Sequence, residues 1–218
     1  MCNLYSAVTN QQAIQRLFRV DRDLTGNLPP FPAIFPDQMA PVLRTAEDGA
    51  REFGLLRWGM PCPLQYGTRP VTNIRNAASP HWRRWLKPEN RCLVPFTAFC
   101  EYADTVPRKT PVWFARDADR TPAAFAGLWC RWTGTRGTKA APVEGEHLLF
   151  GFLTTEPNAE VGAVHPKAMP VVLASQDDCE TWITAPWPVA AALQRPLPDG
   201  ALAVVARGAR QDPPDSLG

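Results

Sequence analysis

The sequence predicts an α+β fold, a single domain with a mixed, barrel-like β-sheet and a few peripheral helices. Short runs rich in β-branched and aromatic residues recur along the chain, while few segments carry helical spacing. The 24 prolines and 8 tryptophans suit a loop-rich sheet protein better than a helical bundle.

Taken in order, Thr9 followed by Gln12 has the pattern of a capping box, and Ile14, Leu17 and Phe18 then give one apolar face through about Arg19. This is the first helix. Residues 26–41 hold Pro29, Pro30, Pro32, Pro36 and Pro41, which read as an extended connection. Strand-like runs follow at Phe53–Trp58, Cys92–Phe96, Val112–Arg116, Ala123–Trp132, Leu148–Thr155, Met169–Ala174 and Leu202–Ala206. Short helices are expected at Pro80–Leu86 and at Asp177–Thr184, the latter capped by Ser175. The polar stretch Thr133–Glu146 reads as a loop between two strands. No repeat and no linker interrupts residues 1–210, and the polar tail 211–218 reads as disordered.

Composition narrows the function. No apolar run approaches the ~20 residues of a membrane span, and the start of the chain lacks the basic-then-apolar pattern of a secretory signal. Six cysteines without a C-x-x-C pair, and only three histidines, argue against a zinc site and against a disulfide framework. A reducing, cytoplasmic compartment is therefore expected, with no metal and no cofactor. The absence of a sustained heptad pattern makes a monomer the default. A net charge of +2 is too small to imply nucleic acid by itself, but its distribution says more. Arg69, Arg75, Arg83, Arg84, Lys87 and Arg91 face a single acid, Glu89, with Trp82 and Trp85 among them and Trp58 shortly before. Cations interleaved with aromatics suit a phosphate backbone and stacked bases. The alternative is a solvated basic segment whose tryptophans lie in the core.

The second residue carries the most chemistry. Removal of Met1 before a small residue leaves Cys2 with a thiol and an α-amine on adjacent carbons. Their ordinary pKa values lie near ~8.5 and ~7.7–8.0, so both are partly nucleophilic at neutral pH. The amine can condense with an aldehyde, after which the thiol closes a five-membered thiazolidine ring. Alternatively the thiol attacks a carbonyl with the amine as base. A cysteine at this position is also compatible with chance, so the remaining motifs must decide.

Those motifs are Met1-Cys2; Arg57-Trp58-Gly59-Met60-Pro61; Asn73-Ile74-Arg75; Arg91 through Tyr102; Ala126-Gly127-Leu128-Trp129; Leu153-Thr154-Thr155; and Val164-His165-Pro166-Lys167-Ala168-Met169-Pro170 through Leu173. Their order and spacing, from residue 1 to about 174, resemble the SOS-response-associated peptidase (SRAP) family. The resemblance implies a sensor and shield for abasic sites in single-stranded DNA. In that family the N-terminal cysteine forms a thiazolidine crosslink with the ring-opened deoxyribose. By motif, Cys2 supplies amine and thiol, Glu101 is the catalytic glutamate, Asn73 holds the adduct and His165 lies near the sugar. Arg75 matches a phosphate-binding arginine and Trp58 an aromatic beside the strand. The basic cluster adds Arg83 and Arg84 as DNA contacts.

The residue types fit these roles. Condensation with an aldehyde requires loss of water and hence a proton shuttle, and Glu101, between Phe99, Cys100 and Tyr102, is placed to have its pKa raised by burial. Asn73 donates and accepts at once. His165 can protonate a departing ring oxygen. Each has a plainer alternative: a surface carboxylate for Glu101, a turn residue for His165, a turn or cap for Asn73.

The chain also departs from the family pattern. Asn3-Leu4 stands where many members have Gly-Arg, and Asn76-Ala77 follows Arg75 where a glutamate is usual. The His165–Met169 segment is one residue longer than usual, with Lys167 in place of an arginine's planar fork. A thiol peptidase that uses Cys2 as nucleophile, at the least to remove Met1, is the alternative reading of the same residues. Strand cleavage by a lyase step stays open beside it.

Overall fold

The computed structural model describes residues 2–9, 11–63, 65, 67 and 69–212. Its organising element is a ring of five strands. Strands β4 (Met39–Thr45), β5 (Arg51–Trp58), β7 (Arg91–Phe96), β10 (Ala123–Thr138) and β11 (Ala141–Thr155) pair in the circuit β11-β10-β7-β4-β5. A parallel pairing of Leu149 with Arg57 and Phe150 with Trp58 then joins β11 to β5 and closes the circuit. Because the other pairings are antiparallel, the barrel is mixed. Closure removes the unpaired edges that an open sheet would expose.

Both faces of this barrel are covered, which explains the continuous apolar runs in the barrel segments of β7, β10 and β11. Along β11, Phe150 and Phe152 join an inner cluster, while Leu149 and Leu153 join an outer one. The inner cluster is a stack of rings. Phe125 lies 3.9 Å from Phe96 and 4.6 Å from Phe152 between centroids, and Trp58 stacks on Phe152 at 5.2 Å. The outer cluster is roofed by α3 (Gln176–Thr184), whose Trp182 Nε1 donates to the carbonyls of Cys92 and Gly127 at 3.0 and 3.1 Å. Gly127 has no room for a side chain, since a Cβ there would stand 2.6 Å from Cys92 Sγ.

A second sheet, β14-β9-β8-β1-β3, flanks the barrel. It comprises β1 (Tyr5–Ala7), β3 (Phe31–Ile34), β8 (Ala98–Ala103), β9 (Thr110–Ala115) and β14 (Ala203–Arg207). The chain passes from β7 into β8 through Thr97, and β1 pairs with β8 with Tyr5 opposite Phe99 and Ser6 opposite Ala98. Minor strands β2 (Arg22–Asp23), β6 (Asn73–Ile74), β12 (Met169–Pro170) and β13 (Val172–Leu173) dock on the main sheet. Helices α1 (Gln11–Leu17), α2 (Ala159–Gly162) and α4 (Trp187–Ala190) are short and peripheral. Among the described residues no helix is long and apolar enough to cross a membrane. All six cysteines are free thiols.

The expected fold class is the observed one, with four local corrections. Thr133–Glu146 is not a loop, because β10 and β11 continue as a solvated ribbon to Thr138 and Ala141. That ribbon is held by backbone pairing and by cross-strand partners such as Arg131 and Glu146. The proline-rich stretch contains the edge strand β3, with Pro32 in a place where an edge tolerates proline. The segment at Pro80–Leu86 narrows to a 3₁₀ turn at Arg83–Trp85. At the far end, Gln211 and Asp212 are ordered, whereas 213–218 lie outside the described residues.

Asp212 is fully buried. Its Oδ2 accepts from Ser6 Oγ at 2.6 Å, its Oδ1 accepts from Arg120 Nε at 2.9 Å, and its backbone N–H donates to the Pro32 carbonyl at 2.9 Å. Ser6 Oγ also accepts from the Ala98 amide at 3.2 Å. Through its carboxylate and its backbone N–H, Asp212 thus ties the end of the described chain to β1 and β3, and through Ser6 to the start of β8. The α3 cap is as expected, with Ser175 Oγ accepting from the Asp178 amide at 3.0 Å.

Candidate active site at the start of the chain

Register brings the first candidates together. Beyond Ser6–Ala98 and Tyr5–Phe99, the Cys100 amide donates to the Leu4 carbonyl at 2.9 Å, so β1 and β8 stay aligned toward the chain start. Continuing that ladder runs Asn3 and Cys2 alongside Glu101 on β8. From the other side, β6 pairs with β11 through Asn73 and Phe152. Asn73 Nδ2 donates to the Cys2 carbonyl at 2.7 Å and lies 2.8 Å from Thr72 Oγ1. Asn73 Oδ1 is buried and makes no hydrogen bond among the described residues. His165 follows α2, with its amide donating to Val161 O at 2.7 Å, and its Nδ1 lies 3.9 Å from Glu101 Oε2. Cys2, Asn73, Glu101 and His165 come from four separate segments and converge on one spot.

Burial sets their protonation. The Glu101 carboxyl is 2 % exposed, and desolvation pushes its pKa up to about 7. Burial also pushes the Cys2 thiol well above its ordinary value, and the charge of Glu101 adds to the effect. Cys2 Sγ donates to the Leu4 carbonyl at 3.4 Å, as a protonated thiol can. His165 is lowered from its ordinary value, first by partial burial and further by Lys167 among other cations. Near neutral pH the site therefore holds a carboxyl close to half-protonation, a neutral thiol and a largely neutral imidazole. Such a set can pass protons to and from a reacting group without a metal.

Trp58 is a correction to the sequence reading. Its ring is completely buried, stacked on Phe150 and Phe152 and edge-on to Tyr5, so it offers no face to a nucleic-acid strand. Trp58 Nε1 donates to the Thr72 carbonyl at 3.2 Å, which makes the ring the floor beneath Thr72 and Asn73. Arg91 also leaves the exposed basic cluster. It is fully buried, its guanidinium 5.5 Å from the Trp182 ring and bonded to the Ala185 carbonyl, and burial lowers its pKa to about 10. Trp82 and Trp85 belong to the outer core. The plainer alternative for this segment therefore holds for its tryptophans.

The cations Arg75, Arg83, Arg84 and Lys167 are exposed. Arg75 lies one residue beyond β6, next to the site, and pairs at 3.6 Å with Glu156, itself exposed. Arg84 stacks its guanidinium 4.2 Å over Trp85. Lys167 stands two residues beyond His165 and acts on its pKa. Two residues escaped the sequence reading. Thr72 Oγ1 bonds both Asn73 and, at 3.4 Å, Asn3 Oδ1, so Asn3 helps to lock the chain start. The Tyr5 hydroxyl is buried without a hydrogen bond among the described residues, and burial raises its pKa well above the ordinary value. The only signal for either was its closeness in sequence to a named motif.

Fold and site together define a class: a closed mixed barrel whose first residues enter a buried cluster of ionisable side chains. The chain belongs to the family described as SOS response associated peptidase (SRAP), whose sequence profile matches residues 1–206. Membership ties the protein to the response to DNA damage for which the family is named. The chain is similar in fold to a protein from Bordetella bronchiseptica, with 24% identity over 95% of this chain and 98% of that one and a TM-score of 0.70. A protein from Bacteroides thetaiotaomicron shares 20% identity over 93% and 90% of the two chains, with a TM-score of 0.71. A phage-related protein from B. bronchiseptica shares 22% over 93% and 92%, with a TM-score of 0.69. No curated protein matches the chain.

Proposed function

We propose that this protein captures abasic sites in single-stranded DNA by forming a thiazolidine between Cys2, freed of Met1, and the ring-opened deoxyribose. One observation carries the proposal: Asn73, Glu101 and His165 converge on Cys2, and burial holds Glu101 near neutrality.

The protonation states order the steps. The Cys2 thiol is held protonated, so the α-amine attacks the C1′ aldehyde first, giving a carbinolamine. Protonated Glu101 donates to the departing hydroxyl, which leaves as water and produces the protonated imine and the Glu101 carboxylate. The thiol then adds to the iminium carbon: the S–C bond forms, the thiol proton passes to the Glu101 carboxylate, and the C=N electron pair moves to the nitrogen, which keeps its proton. No oxidant or metal enters this balance. In this reading His165, whose Nδ1 lies 3.9 Å from Glu101 Oε2, relays a proton to the sugar ring oxygen as the ring opens. The unpaired Asn73 Oδ1 accepts from the adduct, while Nδ2 holds the Cys2 carbonyl. Arg75, Arg83, Arg84 and Lys167 bind the flanking phosphates.

A peptidase acting in trans fits less well, because thiol proteases need a thiolate and burial disfavours one at Cys2. Removal of Met1 as an autoprocessing step is compatible with the same residues.

The test mixes the protein, with loss of Met1 verified by intact mass, with a single-stranded oligonucleotide bearing one abasic site. A heat-stable band on a denaturing gel, lost in Cys2→Ala, is expected, and Glu101→Gln should slow its formation by about 10²–10⁴-fold. No band from a verified protein and substrate overturns the proposal. Cleavage of a peptide without DNA, blocked by iodoacetamide, would install the peptidase reading instead.

A further inference from the structure

Beside Arg75 the surface holds a cleft that none of the chemistry above uses. It has a volume of about 430 Å³ and is lined by Ala77, Ala78, Arg83, Leu86, Lys87, Pro88 and Trp187. That volume falls within the ~300–1,000 Å³ of small-molecule sites. One wall is the segment that continues from Arg75, where Ala77 and Ala78 carry only methyl groups and leave the space open. Another part of the lining is Trp187 at the start of α4, partly exposed and resting edge-on against Trp182 at 6.2 Å. The two parts are fastened together next to the candidate active site, because Gln194 Nε2 donates both to the Arg75 carbonyl and to the Thr154 carbonyl at 2.9 Å.

We infer that this cleft is a nucleobase pocket that receives an unpaired base of the strand bound by Arg75, stacked against Trp187. The chemistry favours that occupant. The pocket combines an aromatic face and apolar side chains with two exposed cations, Arg83 and Lys87. The nearest acid to Lys87 is Glu89 at 3.9 Å, with both groups largely in solvent, where such a pair has little strength. An apolar peptide would satisfy the walls but would leave the cations unanswered. A nucleotide answers both features, since every base has a stacking face and every linkage a charge. A purely single-stranded ligand is implied, because a base held in its duplex cannot reach such a pocket without unpairing.

The inference rests on the single-strand reading above, and its test separates the two. Undamaged oligonucleotides carrying 2-aminopurine at one position at a time report stacking through quenched emission, without any crosslink. A second series places the abasic site at a fixed position and moves 2-aminopurine along either side of it. The expected result is quenching confined to one flank close to the lesion, lost in Trp187→Ala and restored in Trp187→Phe. Affinity for the undamaged strand should fall about ten-fold in Trp187→Ala. Circular dichroism and thermal melting of each variant exclude unfolding as the cause. Quenching and affinity that are equal in the wild type and Trp187→Ala overturn the pocket, whatever happens at Cys2. Stacking that depends on Trp187, with no capture by Cys2, would keep the pocket and overturn the crosslinking reading.

Discussion

Glu101 carries a cost that comes with its role. Its pKa rises from the ordinary 4.5 to about 7 because burial penalises the carboxylate. Between these values the folded chain keeps a proton that the unfolded chain has already lost. Stability should therefore fall as pH rises through that window and level off above it, by about 3 kcal/mol in all. Glu101→Gln removes the ionisation, so urea unfolding should find the variant more stable than wild type at pH 8 and nearly equal to it at pH 4. A variant less stable at pH 8 would mean that the carboxylate is held by favourable partners. For the reaction the sign follows from the acid role: dehydration slows as pH climbs past about 7 and the proton donor is lost. Trp58 makes a different prediction at this scale. Trp58→Ala should lower stability by about 3–5 kcal/mol through the cavity it leaves, yet leave the salt dependence of DNA binding as it was. A reduced salt slope would return the ring to the DNA surface.

Among the elements, β1 matters most, since its register fixes where Cys2 meets Glu101. Only three residues belong to it, and Ser6 in that strand is fastened to Asp212 at the opposite end of the described chain. Asp212→Ala removes the buried carboxylate that accepts from both Ser6 and Arg120, the latter 5% exposed. Loss of one partner of a buried pair typically costs about 3–5 kcal/mol, and hydrogen exchange should quicken first at Leu4–Ala7. A loss below about 1 kcal/mol, the range of a surface pair, would mean that the carboxylate does not anchor the strand. The long β10–β11 ribbon contrasts with β1. Beyond Arg131 it has few buried side chains and a polar sequence, which is why it reads as a loop until the pairing is seen. Ser175 and the apolar face of α3 show the opposite case, in which local chemistry alone suffices to write the element.

On the scale of the molecule, a net charge of +2 conceals a polar arrangement. Arg75, Arg83, Arg84 and Lys87 stay on the surface, while Arg91, Trp58, Trp82 and Trp85 turn inward. Binding of single-stranded DNA should therefore weaken with salt, and Arg75→Ala should reduce the slope of log K against log[salt] by about 0.7, the value of one phosphate contact. Filter binding across a salt series measures it, and an unchanged slope would remove Arg75 from the interface.

The sequence by itself determined the class of fold, most of the barrel strands and the α3 cap, and its resemblance to a family named the four residues of the candidate site. It did so because both-face burial leaves continuous apolar runs, and because reactive residues stand in short ordered motifs. Only the tertiary structure decided that Trp58 and Arg91 are interior, that Asp212 clasps the first strand, and that Trp187 and Arg83 line one cleft. Those facts rest on contacts between residues far apart in the chain. A tryptophan or an arginine carries no local mark of the side it will face; closure of the barrel assigns it.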